Sequence, residues 1–209
     1  MSTRVYIFAG FLDSGKTTFI NDTLSNPDFY NGEDTLLISF EEGEVPYQES
    51  ILKRANTNLE ILDHENYTTN DLMALENKYH PTQILIEANG MMDLNAFVKE
   101  IVPENWNVVQ VLTTIDTTTF SMYVSNMRSL VYGQVVFSDL VIFNRYNRNV
   151  KKSSLRNNIK AINSNAQIIY ELPDGTIDTL NTEEEMPFDI NQDRIEILDH
   201  DFGIFCMDV

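Results

Sequence analysis

Short, continuous apolar runs alternate along this chain with longer stretches in which apolar residues recur every three or four positions. The first run, Val5-Tyr6-Ile7-Phe8-Ala9, lacks the polar alternation of a half-exposed strand and predicts one buried on both faces. Lys16 to Leu24 reads as a helix, with Phe19, Ile20 and Leu24 on one side. Thr35 to Phe40 predicts a second strand, Glu49 to Ala55 a short helix and Asn58 to Asp63 a third strand. Leu72, Met73 and Leu75 place an amphipathic helix between Asn70 and Tyr79, started by Asn70 or Asp71. Gln83 to Ala88 is a fourth strand, Leu94 to Val102 a helix stopped by Pro103, and Val108 to Ile115 a fifth strand. Phe120, Tyr123, Val124, Met127, Leu130 and Val131 share one helical face and predict a single helix from Phe120 to Val131. Leu140 to Phe143, Leu155 to Ile162 and Gln167 to Tyr170 complete the series as strand, helix and strand. Such a succession predicts an α/β fold: a mostly parallel sheet of about seven strands, covered by helices on both faces.

From Leu172 the pattern changes. Pro173-Asp174-Gly175 is a turn, and Thr182-Glu183-Glu184-Glu185-Met186-Pro187 is an acidic connector. Arg194 to Leu198 and Gly203 to Met207 then read as two short strands joined through Asp199-His200-Asp201. The expected organisation is a main domain over 1–171, followed by an extension over 172–209. Val209 closely follows the apolar run that ends at Met207, an ending that suits an edge strand or the start of a further domain equally well.

Composition narrows the choice of partners. The chain has 209 residues, of which 43% are hydrophobic, enough for one full core but not for two complete domains. Lys and Arg number 14 against 32 Asp and Glu, a formal net charge of −18. A surface of that sign repels phosphate backbones and anionic lipid, which argues against nucleic acid and membranes as partners. It suits cations, basic protein patches or solubility alone. Cys206 is the single cysteine, so no internal disulfide can form. With neither a leader pattern after Met1 nor an apolar run of spanning length, a cytoplasmic location is expected.

The loop after the first strand carries the main chemical signal. Gly10-Phe11-Leu12-Asp13-Ser14-Gly15-Lys16-Thr17-Thr18 completes the pattern G-x-x-x-x-G-K-[ST] between a strand and a helix. Glycines at Gly10 and Gly15 let the loop curl until its N–H groups point inward, with the helix N-terminus adding positive potential. Gly10, Asp13, Ser14, Gly15, Lys16, Thr17 and Thr18 are thus the expected phosphate cradle. Lys16 reaches the terminal phosphates of a nucleoside triphosphate, and the Thr17 hydroxyl ligates Mg.

Three further segments fit that chemistry. The fourth strand delivers Glu87 at its carboxyl end, where a parallel sheet binds ligands and where a carboxylate can hold magnesium. Gly90 follows, with an amide able to approach a γ-phosphate. The second strand ends in Phe40-Glu41-Glu42-Gly43-Glu44, and an acidic loop beside a triphosphate calls for a cation, so Glu41 is a further metal candidate. The sixth strand ends in Asn144-Arg145-Tyr146-Asn147, where guanine-binding proteins of this fold carry Asn-Lys-x-Asp. An Asp accepts both donors of the guanine edge, whereas Asn147 offers one acceptor and one donor, a loss of about 1 to 3 kcal/mol if buried. Arg145 can lay its stem over a base, as Lys would. Guanine is the first choice of base, with xanthine or adenine as alternatives.

Taken in order, these segments resemble the CobW/HypB/UreG group of GTPases. The loop with Phe19-Ile20-Asn21 is similar to the opening of that group, and Glu41-Glu42-Gly43-Glu44-Val45 to its Asn-Glu-Phe-Gly-Glu-Val run. Ile86-Glu87-Ala88-Asn89-Gly90 stands for its Glu-Thr-Thr-Gly segment, and Gln134 to Asp139 resembles the approach to its base loop. Phe11 occupies the position of the extra lysine in ParA/MinD ATPases. The resemblance implies a SIMIBI-like P-loop NTPase that takes GTP/GDP and Mg. It further implies a nucleotide state that switches homodimerisation or binding of a protein partner, in a group rich in metallochaperones.

Two departures stand out. The group's Cys-x-Cys-Cys metal motif is replaced by Leu62-Asp63-His64-Glu65-Asn66-Tyr67-Thr68, which has no thiolate and reads as a polar loop. Asp13 stands where relatives mostly have Gly. The expected activity is a slow GTPase in which Lys16 and Glu87 act by position and charge. The alternatives are a nucleotide-dependent binding module without efficient hydrolysis, or a small-molecule kinase, which the lack of an Arg-rich lid disfavours. The client protein and any transition metal are left open.

Overall fold

The computed structural model describes residues 2–179, apart from 27, 28, 30, 31, 42 and 44. Seven parallel strands form one sheet in the order β3-β2-β4-β1-β5-β6-β7. They are β1 (Thr3–Gly10), β2 (Thr35–Ser39), β3 (Thr57–Ile61), β4 (Gln83–Glu87), β5 (Trp106–Asp116), β6 (Leu140–Asn144) and β7 (Gln167–Tyr170). The described helices are α1 (Lys16–Ser25), α2 (Glu49–Arg54), α3 (Thr69–Tyr79), α4 (Leu94–Ala96), α5 (Phe120–Asn126), α6 (Arg128–Val135) and α7 (Lys152–Lys160). None is long and apolar enough to cross a membrane among the described residues.

The continuous apolar runs are explained by burial on both faces. Along β1, Tyr6 and Phe8 pack with Phe19, Ile20 and Leu24 of α1, while Val5, Ile7 and Ala9 pack with Leu72, Phe97 and Trp106 on the opposite face. A third cluster joins Ile115, Phe120, Val141, Phe143, Leu155 and Ile159. Each fully buried side chain of this size contributes about 1.5–3 kcal/mol, so the sheet interior fixes the strand order. β1 lies between β4 and β5, where connections turn from one half of the sheet to the other, and ligands of open parallel sheets bind beyond that point. The register aligns Phe8 with Glu87, Ser39 with Glu87, Gly10 with Thr114 and Asp116 with Asn144, which gathers the strand ends around one crevice.

Helix limits differ from the sequence expectation in several places, among them α7, expected over Leu155 to Ile162 and observed over Lys152–Lys160. α3 begins at Thr69, one residue before the expected range, because Thr68 forms a capping box with Asp71, accepting from its N–H while the Asp71 carboxylate accepts from the Thr68 N–H. Leu94 to Val102 is α4 followed by a wider π turn over Phe97–Ile101. The single helix expected from Phe120 to Val131 breaks at Met127 (φ −136, ψ 44) into α5 and α6. Ser125 Oγ donates to Ser121 O and Asn126 Nδ2 to Met122 O, so side chains compete for the carbonyls of the last turn of α5.

Residues 172–178 fold back onto β7. Leu172 N–H donates to Thr176 O, Asp178 N–H donates to Tyr170 O, and Gly175 takes the positive φ of 83 that the turn requires. Arg148 and Lys152 pair with the buried Asp178 carboxylate. The acidic connector, the two short strands expected beyond it, His200 and Cys206 lie outside the described residues, as do Glu42 and Glu44.

Candidate functional site

The loop between β1 and α1 is shaped by its glycines. Gly10 has φ 130, and a Cβ there would sit 2.3 Å from Thr114 O; Gly15 has φ 92, and a Cβ would sit 2.7 Å from Asn144 Nδ2. A side chain at either position would therefore push against a neighbouring strand end. Asp13 is also left-handed (φ 57), a backbone that glycine adopts without strain. Ser14 Oγ lies 2.8 Å from Thr114 Oγ1, which ties the loop to β5.

The loop closes around Lys16, which is 3% exposed. Its Nζ donates to Gly10 O at 3.0 Å and Phe11 O at 2.8 Å, and forms an ion pair with Glu41 Oε2 at 2.8 Å. Burial pushes the Glu41 carboxyl above the usual carboxylate range, against the pull of Lys16; Glu87 and Asp13 push the same way as burial.

Beside the lysine, Thr17 Oγ1 donates to Glu87 Oε1 at 2.6 Å. The other oxygen of Glu87 accepts from Ser39 Oγ and from Tyr47 OH, each at 2.6 Å. Burial, reinforced by the Glu87 charge, holds the Tyr47 hydroxyl far above its ordinary range, so it remains a donor. Thr17 and Glu87 thus present adjacent hard oxygen donors, which suit a magnesium ion better than a soft metal. Gly43 passes close by, where an added Cβ would be 3.6 Å from Thr17 Oγ1. Asp13, Lys16, Thr17, Glu41 and Gly43 line a common cleft of about 170 Å3.

Gly90 presses directly on the phosphate loop, with its Cβ position 2.6 Å from Leu12 N. The fully buried Gln134 of α6 joins the two segments: its Oε1 accepts from Gly10 N–H at 2.9 Å and its Nε2 donates to Met92 O at 3.1 Å. These bridging roles of Gln134, Ser39 and Tyr47 were not apparent from the sequence. Gln134 lies beyond the helix expected from Phe120 to Val131, and its place at the head of the Gln134 to Asp139 resemblance was the available signal.

On the other side of α1, a cleft of about 180 Å3 opens between Thr18, Asp22, Asn144, Arg145, Leu172 and Pro173. Asn144 Nδ2 donates to Ser14 O, while Asn144 Oδ1 is buried without a partner. Arg145 (φ 49) donates to Asp13 O and pairs with Asp116. Asn147 stands apart from this group. It is exposed, does not line the cleft, and its Oδ1 accepts from Asn149 N–H at 2.9 Å. The structure therefore brings Gly10, Asp13, Ser14, Gly15, Lys16, Thr17, Thr18, Glu41, Glu87, Gly90, Asn144 and Arg145 together and leaves Asn147 outside.

In the segment that replaces the cysteine motif, Asp63 accepts from Glu65 N–H and Asn66 Nδ2 in a local turn, with His64 beside it. No group of three or more His, Cys, Asp or Glu suited to a metal ion occurs among the described residues.

Over residues 4–170 the chain matches the family described as CobW/HypB/UreG, nucleotide-binding domain. No curated protein matches it. Among solved structures it is similar to the Zn(II)-bound YjiA GTPase from E. coli, with 20% identity and a TM-score of 0.61 over 86% of this chain and 60% of that one. It is also similar to the hydrogenase maturation factor HypB from Archaeoglobus fulgidus (17% identity, TM-score 0.58, 80% of each chain). FlhF complexed with GMPPNP and Mg2+ shares the fold at 14% identity and a TM-score of 0.53, over 82% of this chain and 66% of that one. The chain spans about 60% of the length of YjiA.

Proposed function

The chain belongs to the CobW/HypB/UreG family of nucleotide-binding domains, and from that premise we propose that it is a magnesium-dependent GTP-binding protein with slow GTPase activity. The observation that carries this reading is the buried Lys16 beside the Thr17–Glu87 pair, at the end of a glycine loop that admits no side chain at Gly10 or Gly15. Lys16 and the inward N–H groups of the loop neutralise the β- and γ-phosphates, with the N-terminus of α1 adding its dipole. Thr17 and Glu87 hold the magnesium, which when bound draws charge from the phosphate oxygens. Ser39 and Tyr47 fix the second oxygen of Glu87, so the carboxylate is oriented before the nucleotide arrives. The base enters the cleft between Asn144, Arg145 and Leu172. Guanine as the base is supported by the description of YjiA as a GTPase and by Asn144 and Arg145 at the end of β6.

Positioning and charge supply the catalysis, so turnover is slow until a partner or a second copy completes the site. Leu12 and Met91 are 59% and 64% exposed on either side of the Gly90 contact, an apolar surface at the phosphate end suited to a protein partner. The ion pair between Lys16 and Glu41 favours a second reading, in which nucleotide occupancy regulates binding and hydrolysis is negligible. Hydrolysis by wild type and by Lys16→Ala, with and without magnesium, separates the two. GTP binding by wild type with a hydrolysis rate no higher than that of Lys16→Ala would remove the GTPase and leave the binding module.

A further inference from the structure

Glu41 stands where an anionic ligand of Lys16 would stand. Its carboxylate lies 2.8 Å from Nζ, with the lysine side chain 2% and the glutamate side chain 7% exposed. An ammonium has three donors, and two of those on Lys16 already serve Gly10 O and Phe11 O. The remaining side of the nitrogen, which faces the cleft, is covered by Glu41. We propose that Glu41 is a built-in competitor for the pyrophosphate end of the nucleotide: it neutralises Lys16 in the empty protein and must leave when a nucleoside di- or triphosphate binds.

The inference rests on the nucleotide reading of this site and adds a selection to it. A phosphate placed against Lys16 would meet the carboxylates of Glu41 and Asp13 in the same narrow cleft, and like charges there repel strongly. Nucleotide and Glu41 therefore exclude one another. A nucleoside monophosphate does not extend to Lys16 and gains nothing from the displacement.

Expulsion of Glu41 also moves the loop after β2 that carries it. Its backbone N–H donates to Ser39 Oγ at 3.3 Å, and the Ser39 hydroxyl in turn donates to Glu87 Oε2. Two residues on, Gly43 lies over Thr17. The segment that blocks the lysine thus also crosses the magnesium-binding threonine, and both are uncovered together. Occupancy of the phosphate site becomes a displacement of Glu41 and Gly43, next to the exposed Val45.

The test is titration of the full chain with GDP in EDTA, with magnesium and GTP, with GMP, and with inorganic pyrophosphate, for wild type, Glu41→Gln and Glu41→Ala. Glu41→Gln keeps the side chain's size and removes its charge. It should tighten GDP and pyrophosphate by about tenfold or more and leave GMP within about twofold. Glu49→Gln, which removes the same charge from an exposed pair with Lys53, should change none of these values. Unchanged or weaker GDP binding by both Glu41 variants, while wild type still binds GTP, would overturn the competitor and leave the nucleotide site standing. Absence of GTP binding in wild type and in every variant would remove the nucleotide reading and this inference with it.

Discussion

Thr17 and Glu87 meet through one hydrogen bond of 2.6 Å, which joins the first turn of α1 to the carboxyl end of β4. Seventy positions apart in sequence, they are brought together because β1 and β4 are hydrogen-bonded neighbours with Phe8 opposite Glu87. The same carboxylate anchors Ser39 and Tyr47, so one side chain fixes the ends of two strands and the loop after β2.

Replacing that carboxylate should separate its two duties. Glu87→Gln keeps an acceptor for one hydroxyl but loses the charge, and the magnesium concentration for half-maximal GTP binding should rise about tenfold or more. Glu87→Ala strands three hydroxyl donors and should lower stability by about 2–4 kcal/mol, measured by denaturant unfolding. A magnesium dependence unchanged in Glu87→Gln would place the metal elsewhere.

Gln134 offers an independent test of the loop's rigidity. Gln134→Leu fills similar space but leaves Gly10 N–H and Met92 O buried without partners, at a cost of about 2–4 kcal/mol. GTP affinity should fall with it, because Gly10 opens the phosphate loop. Full affinity in a destabilised Gln134→Leu would show that the bridge serves the core alone.

Asn147 should have little influence on base choice. Its Oδ1 is engaged by Asn149 N–H and its side chain lies outside the cleft, so Asn147→Asp should shift the ratio of GTP to xanthosine triphosphate affinity by no more than about twofold. A large gain for GTP would mean that the loop after β6 turns inward around a bound base.

Asp116 predicts an acid-side loss of stability. Burial raises its carboxyl, but hydrogen bonds from Thr118 and Arg145 outweigh burial and hold it below the ordinary range. A carboxyl lowered in the folded state stabilises fully above its unfolded pKa of about 4, and that contribution disappears as pH falls through the lower folded value. Between pH 5 and about pH 2, Asp116→Asn should lose less stability than wild type, followed by chemical unfolding at each pH. Equal slopes would show that the Arg145 pair contributes nothing.

The inner strands were legible because burial on both faces leaves an unbroken apolar run, as in β1, β2 and β4, and the half-buried edge strand Gln167 to Tyr170 was delimited to the residue. Helix ends were less so. The capping box at Thr68 and Asp71 was written in the sequence, yet the apolar spacing alone pointed one residue or more too late. The break at Met127 could not be read, because the apolar face from Phe120 to Val131 continues through it, and local bonds of Ser125 and Asn126 decide the matter. At the site, the residues of the phosphate loop are contiguous and were readable as a motif. Gln134 reaches Gly10 across 124 positions, and Tyr47 meets Glu87 across 40, so only the folded sheet brings them together. Asn147 shows the opposite case, a position that a motif singles out and that its own Asx turn then holds aside.

The most direct measurement is calorimetric titration of GTP and ATP, with magnesium, into wild type and Lys16→Ala. The account predicts that wild type binds GTP more tightly than ATP and that Lys16→Ala loses about a hundredfold or more in GTP affinity, since it removes the buried cation of the phosphate cleft. Equal GTP affinity in the two proteins would contradict the phosphate site, and tight ATP binding without GTP binding would contradict the assignment of the base.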